Sequence, residues 1–292
     1  LTQNDATLGG GVYIEGNNVD ASNINLYNNT AVQGGAVYIN GNDITLDKIT
    51  AKENNAIQGG AIYIQGQNTE VYNSTFEDNL VTRDIDLIKP GAETLFTMGG
   101  GIYINGNNVA VTGNNTFRRN TASGSINGGL GGAIAIDGYH TNITDNIFND
   151  NEAIRGGALY VNGTNTTIYN ANFTYNRAIK GGAAYVNGVN TTVVNSQFKY
   201  NNATHNLTYN LNPIFDSVPA EGGAIDIVGN NTLLDNLLFS ENNAIGVNPD
   251  GGLGGAVSSP GAQDAELAVL DGDGLGAVVG VQQSSLSCID LD

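Results

Sequence analysis

Six tyrosines fall at one position of a repeating pattern: Tyr13, Tyr38, Tyr63, Tyr103, Tyr160 and Tyr185. Each stands between aliphatic residues, as in Val37-Tyr38-Ile39 and Leu159-Tyr160-Val161. Side chains alternate along a strand, so rings placed between core-facing aliphatics point outward. A phenol ring offers an apolar face and a polar tip, the chemistry that holds a sugar ring. These six are the candidate ligand-binding residues. The same row has a structural reading, a column of rings that stack on one another and stiffen a sheet. Ala135 and Asp226 interrupt the row.

Catalysis has fewer candidates. The two histidines are His140 and His205, and His140 stands at a corner where other repeats carry Asn or Asp. It reads as a substituted turn residue. Polysaccharide hydrolysis needs two carboxyls held across the scissile bond, and Asp137, Asp145 and Asp226 are scattered acids. The run Asp271-Gly-Asp-Gly-Leu-Gly276 has the opening of a Ca²⁺ loop, but Leu275 and Gln282 stand where later ligands belong. It reads as a turn. No catalytic residue, metal ligand or cofactor is assigned, with Ca²⁺ kept as the alternative to none, and an enzyme is not expected.

The elements that position the tyrosines come from a repeat. Glycine pairs begin at Gly9, Gly34, Gly59, Gly99, Gly131, Gly156, Gly181, Gly222 and Gly254, with a shortest spacing of 25 residues. A period of that length marks a solenoid. After each pair comes an alternating run rich in β-branched and aromatic residues, which is a strand signal. A Gly-Asx corner follows, as at Gly41-Asn42-Asp43. A second strand places one apolar residue inward: Leu46, Val71, Val111, Ile143, Ile168, Val193 or Leu234. A third carries F-x-x-N, as in Phe76 to Asn79 and Phe173 to Asn176.

That Asn recurs at Asn4, Asn29, Asn54, Asn79, Asn120, Asn151, Asn176, Asn201 and Asn242. Three strands per unit with tight corners and no helical stretch predict an all-β chain. The fold expected is a parallel β-helix of nine to ten coils. Parallel pairing sets equivalent residues about 4.8 Å apart, so the Asn column is expected to form a ladder. Each buried amide then finds its partners in identical neighbours.

The pairing of GGA[I/V/L] with F-x-x-N resembles the repeats of chlamydial polymorphic outer-membrane proteins. The Asn-, Thr- and Tyr-rich filling is similar to adhesin-like surface proteins of methanogenic archaea. The resemblance covers residues 1 to 259. It implies a right-handed parallel β-helix displayed at the cell surface, with adhesion as its role. The same architecture also carries pectate lyases, polygalacturonases and phage tailspikes, so fold alone does not give function. The polygalacturonase-like Asp-Asp and Gly-His-Gly signatures are absent, and Arg118, Arg119, Arg155 and Arg177 sit in no acidic motif that a lyase would need. A polysaccharide-active enzyme and a purely structural spacer remain as alternatives.

The net charge of −18 leaves no basic face for phosphate, so nucleic acid is not an expected partner. The expected partner is a cell-surface glycan or a surface protein of another cell. No apolar stretch in this chain is long enough to span a membrane. Leu1 falls at the Phe site of a coil, so the chain reads as a fragment of a larger secreted or anchored extracellular protein. Cys288 is alone, which rules out a disulfide framework within the chain. Eleven N-x-S/T sequons occur, at Asn28, Asn73, Asn114, Asn142, Asn162, Asn165, Asn172, Asn190, Asn202, Asn206 and Asn230. Some are expected to face inward and be unusable, and others to carry glycans in a glycosylating source.

Four units exceed the regular period, through insertions at residues 80–98, 121–130, 202–221 and 243–253. All fall at the same corner, between the ladder Asn and the next glycine pair. Spacings across five units repeat: Gly34 to Gly156 is 122 residues and Gly99 to Gly222 is 123. A duplicated block of about five coils then sets the loops on one edge of the rod. Loops gathered on one face of a solenoid are its expected binding face. Residues 260–292 lose the Asn-rich character and read as a degenerate last coil, cap or tail.

Overall fold

The computed structural model describes residues 1–83, 95–124, 128–208, 218–246 and 252–259, and the backbone of strands Glu266–Leu270 and Gly276–Gly280. The centres of the four insertions, the Ca²⁺-like run at 271–275 and Cys288 lie outside the described residues. Among the described residues there is no helix.

Three sheets run the length of the molecule. The strands that follow the glycine pairs form a nine-stranded tyrosine sheet, from Val12–Ile14 and Val37–Ile39 through to Val257–Ser258. Every pairing in it is parallel and joins equivalent residues, such as Tyr13 to Tyr38 and Tyr63 to Tyr103. The second and third strands of each coil, such as Asn42–Asp47 and Thr50–Lys52, share one bent phenylalanine sheet. The third sheet arises where only a corner is expected. Strands such as Thr30–Gln33, Asn55–Ala56 and Asn202–Thr204 follow the ladder Asn directly and stack nine deep. The first residues of each insertion, such as Leu80–Val81 and Thr121–Ala122, are therefore regular strand, and the excess begins after them.

Each coil turns at four corners, and all four use the left-handed region. One is the first glycine of the pair, with φ from 58° to 67°. The others are non-glycine columns: one through Asp43, Asn68 and His140, one through Lys48, Asn73 and Asp145, and one through Glu53, Asp78 and Tyr175. Asn and Asp tolerate this region, which explains much of the Asn content. His140, with φ 55°, is the substituted turn residue that its position implies. The second glycine of each pair is fixed by crowding instead. A Cβ on Gly60 would lie 2.1 Å from the Gly100 carbonyl oxygen, inside the next coil.

The interior is built from columns of like residues. Phe76, Phe117, Phe148, Phe173 and Phe198 are buried and stack at 4.6–5.1 Å. Stacked rings gain about 0.5–1.5 kcal/mol per pair beyond their buried area. Phe148 has a ring on each side, so Phe148→Leu is expected to cost about 1–3 kcal/mol. A urea unfolding series checks this, and a cost no larger than that of Ile143→Val would show that the rings do not act as a stack.

The Asn column is a ladder. Asn54, Asn79, Asn120, Asn151 and Asn176 are fully buried. Each side-chain amide donates to the next Oδ1, at 2.9 Å for Asn54 to Asn79 and 3.0 Å for Asn120 to Asn151. The second amide hydrogen reaches a carbonyl of the preceding coil, as Asn120 does to Phe76 at 2.9 Å. Each Oδ1 also accepts a backbone N–H, as Asn151 does from Asn120 at 3.0 Å. Both donors and the acceptor are thus used.

After Val257–Ser258 the pattern changes. Strand Glu266–Leu270 pairs in parallel with the long strand Asn230–Ser240, and Gly276–Gly280 then pairs antiparallel with Glu266–Leu270.

Candidate ligand-binding face

The tyrosine row points away from the core, as alternation requires, yet it is not a surface. Tyr38, Tyr63, Tyr103, Tyr160 and Tyr185 are only 4–8% exposed, and Tyr13 alone is open, at 46%. Two causes combine. The coil spacing of about 4.8 Å is close to the centroid separation of stacked rings, so the rings cover one another: Tyr13 stacks on Tyr38 at 5.4 Å and Tyr38 on Tyr63 at 5.1 Å. Flanking columns close the edges. Met98 and Leu130 pack against the row, and the Arg155 guanidinium lies over Tyr185 at 5.6 Å. The hydroxyls are taken too: Tyr38 donates to Gln65 at 2.9 Å and Tyr103 to Asp137 at 2.8 Å. Burial pushes the Tyr160 phenol up to about 12, with the Asp137 charge adding to the effect. The outward-facing sugar platform expected from alternation is thus corrected to a stacked ladder, because alternation gives direction and not exposure.

The interruptions in the row have different consequences. At Ala135 the ring of Tyr103 turns 69° from Tyr63, and Ala135 is fully buried. At Asp226 a carboxylate takes the place of a ring, paired in register with Tyr185 and Ser258. Asp226 is fully buried, and neither oxygen has a hydrogen-bond partner of standard geometry. Burial, and next the charge of Glu221, push its carboxyl up to about 7, while Lys180, Arg155 and the nearby Ser258 hydroxyl offset part of this. Enclosed in this way, Asp226 does not reach a substrate.

The other candidates for chemistry are occupied in structure. Asp137 accepts from Tyr103 and from Asn162, and Asp145 accepts from Asn170 at 2.5 Å. Arg119 binds Asp78 and Glu77, both at 2.6 Å, and Arg118 reaches Glu77 at 3.1 Å. Those carboxylates hold the Arg119 guanidinium above its usual range. Arg177 pairs with Glu152 at 3.0 Å. Among the described residues no three His, Cys, Asp or Glu gather where they could hold a metal.

The insertion edge is ordered at its roots. Bridges from Gln58 to Met98, Lys180 to Glu221 and Glu221 to Leu253 keep the coil register on the far side of three insertions. The root of the 202–221 insertion folds back across two coils. Thr208 donates its backbone N–H to Glu152 at 2.6 Å and its hydroxyl at 3.0 Å. Leu207 packs on Ile154 and Ile179.

Three features escaped the sequence reading. The corner column through Asn68 and Asn108 makes an exposed amide ladder, linked at 2.7 Å. A second buried amide pair joins Asn115 to Asn146 at 2.9 Å. Finally, none of the eleven sequon asparagines is buried, which corrects the expectation that some face inward. The inward Asn column simply has Ala or Val, not Ser or Thr, two residues after each Asn.

A family model described as a right handed beta helix region matches residues 10–198. The chain belongs to the right-handed β-helix family. The match runs from the first glycine pair through the first two insertions to Phe198, three residues before the ladder Asn201. No curated protein and no solved structure matches the chain. The β-helix frame is shared by adhesins and by polysaccharide-active enzymes, so function has to come from what the frame carries. No helix among the described residues is long and apolar enough to cross a membrane.

Proposed function

We propose that this β-helix is a non-enzymatic module of the cell surface, which presents one edge to a glycan or to a surface protein of another cell. One observation carries the reading: four insertions leave the same edge, while the coils on either side of them keep their register. A rigid frame with variable loops on one side is the usual arrangement of a binding surface. The acidic charge and the Asn-rich, sequon-bearing exterior suit an extracellular setting. The candidate acids and arginines serve as partners of neighbouring side chains, which favours binding over catalysis. The implied partners are glycans or surface proteins, with no cofactor.

The test is a pair of loop reductions. The insertions at 80–98 and 202–221 are cut back to the short corner of a regular coil, keeping strands Leu80–Val81 and Asn202–Thr204. Circular dichroism is expected to report an unchanged β spectrum. Binding to a glycan array and to cells is expected to fall at least tenfold. Binding that survives both reductions would sink the loop-edge reading.

A further inference from the structure

The left-handed corner that precedes the ladder Asn is held by nine residues. Seven are polar or charged, among them Asn28, Glu53, Asp78 and Glu241, and two are Tyr175 and Tyr200. Their φ values are 58° and 57°. A bulky side chain is disfavoured in that region, and burial does not repay it here. Tyr175 is 54% exposed and Tyr200 40%. The two rings stack at 5.0 Å with 7° between their planes. Strain without burial points from an observed outlier to a use.

The surroundings supply that use. Thr174 and Asn149 are paired in register, so Asp150 precedes Tyr175 by one coil in the same column. The face of Tyr175 turned away from Tyr200 therefore looks toward Asp150. Arg177 lies 4.0 Å from Asp150 and 3.0 Å from Glu152. An open aromatic face thus has a carboxylate acceptor and a guanidinium donor beside it, the pair of groups that vicinal hydroxyls of a sugar need. Tyr200 lies two residues before the 202–221 insertion, and that loop's Thr208 closes on Glu152. The local charges, Asp150, Glu152 and Glu241 against Arg177 and Lys199, leave no excess of positive charge to attract an acidic sugar.

We propose that Tyr175 and Tyr200, with Asp150 and Arg177 beside them, form a sugar-binding platform for a neutral pyranoside. The proposal rests on the glycan-binding reading above. It also moves the aromatic contact from the buried row to the one stacked tyrosine pair that is open among the described residues.

The test uses the full chain and three immobilised panels: neutral methyl hexopyranosides with their short oligomers, N-acetylhexosaminides, and uronates. Wild type is expected to bind the neutral panel at least tenfold more tightly than the uronates. The double variant Tyr175→Asn, Tyr200→Asn restores the residue type common at left-handed corners. It is expected to lose binding at least tenfold while its thermal midpoint holds or rises by about 1–3 °C. Binding kept within twofold, a preference for uronates, or a midpoint lowered by several degrees each overturns the platform. The loop reductions separate the two ideas. Binding lost on loop reduction but kept in the double variant leaves the surface-binding reading standing and removes this one. Wild type silent on every panel removes the sugar platform, and binding to cells then decides the broader reading alone.

Discussion

Replacing Asn120 with Ala is expected to destabilise the rod by about 3–6 kcal/mol, although the change deletes only an amide. Asn120 is fully buried, and its Oδ1 accepts from the backbone N–H of Asn79 at 3.2 Å and from the Asn79 amide at 2.9 Å. Its own amide donates to Phe76 and to Asn151. Removing it leaves two donors on Asn79, and a carbonyl on Phe76, facing a small void. A buried donor or acceptor left unmade costs about 1–3 kcal/mol. The exposed ladder provides the control. Asn190 donates to Asn165 at 2.9 Å with the same chemistry, but in reach of water. Asn190→Gly keeps the left-handed corner (φ 57°) and is expected to cost about 1 kcal/mol or less. Urea midpoints for the two variants decide the matter. Equal costs would mean that the inner ladder follows from the stacking and does not support it.

The second large effect is a dependence of stability on pH that centres on Asp226. Its carboxyl is raised from 3.8 to about 7 in the folded state, chiefly by burial. Below the ordinary value the group is neutral in both the folded and unfolded chain, so its contribution is fully present there. As pH rises from about 4 to about 7 the unfolded chain ionises first and the folded state loses ground. Three units correspond to about 4 kcal/mol, felt first by the strand Ile225–Ile227 and the coil after it. Asp226→Asn is expected to flatten this slope. Hydrogen exchange of Ile225 and Ile227 at pH 4 and pH 8 measures it. An unaltered slope in the variant would place the titration elsewhere.

Much of the fold was legible because a solenoid repeats its constraints. Nine glycine pairs, an invariant Asn and the inward Phe each follow from contacts between identical neighbours, so one coil read correctly gives the rest. The exposure of the tyrosines was not legible. Alternation tells which side of a sheet Tyr63 occupies, but cover comes from Tyr38, Tyr103 and Met98 in other coils and from the flanking columns. The sheet made by Asn55–Ala56 and its equivalents was hidden for another reason: its strands are only two to four residues long, too short for a period to register. The clasp of Thr208 on Glu152 spans 56 positions and has no local signal at all. Tyr175 and Tyr200 could have been found in the F-x-x-N repeat itself, because the residue just before the ladder Asn is polar or charged elsewhere and Tyr only at these two positions.

The hydrogen bonds between coils run along the rod, and the strands of each coil pair only with those of its neighbours. A tether of this kind does not yield all at once. Drawn out by its ends it sheds one coil at a time, each regular coil paying out some 25 residues of slack, about 80 Å of extended chain. The inner Asn ladder must open one rung for every coil released. For a module held between two surfaces, this makes the rod a graded mechanical fuse, in which the long-insertion coils release the most length.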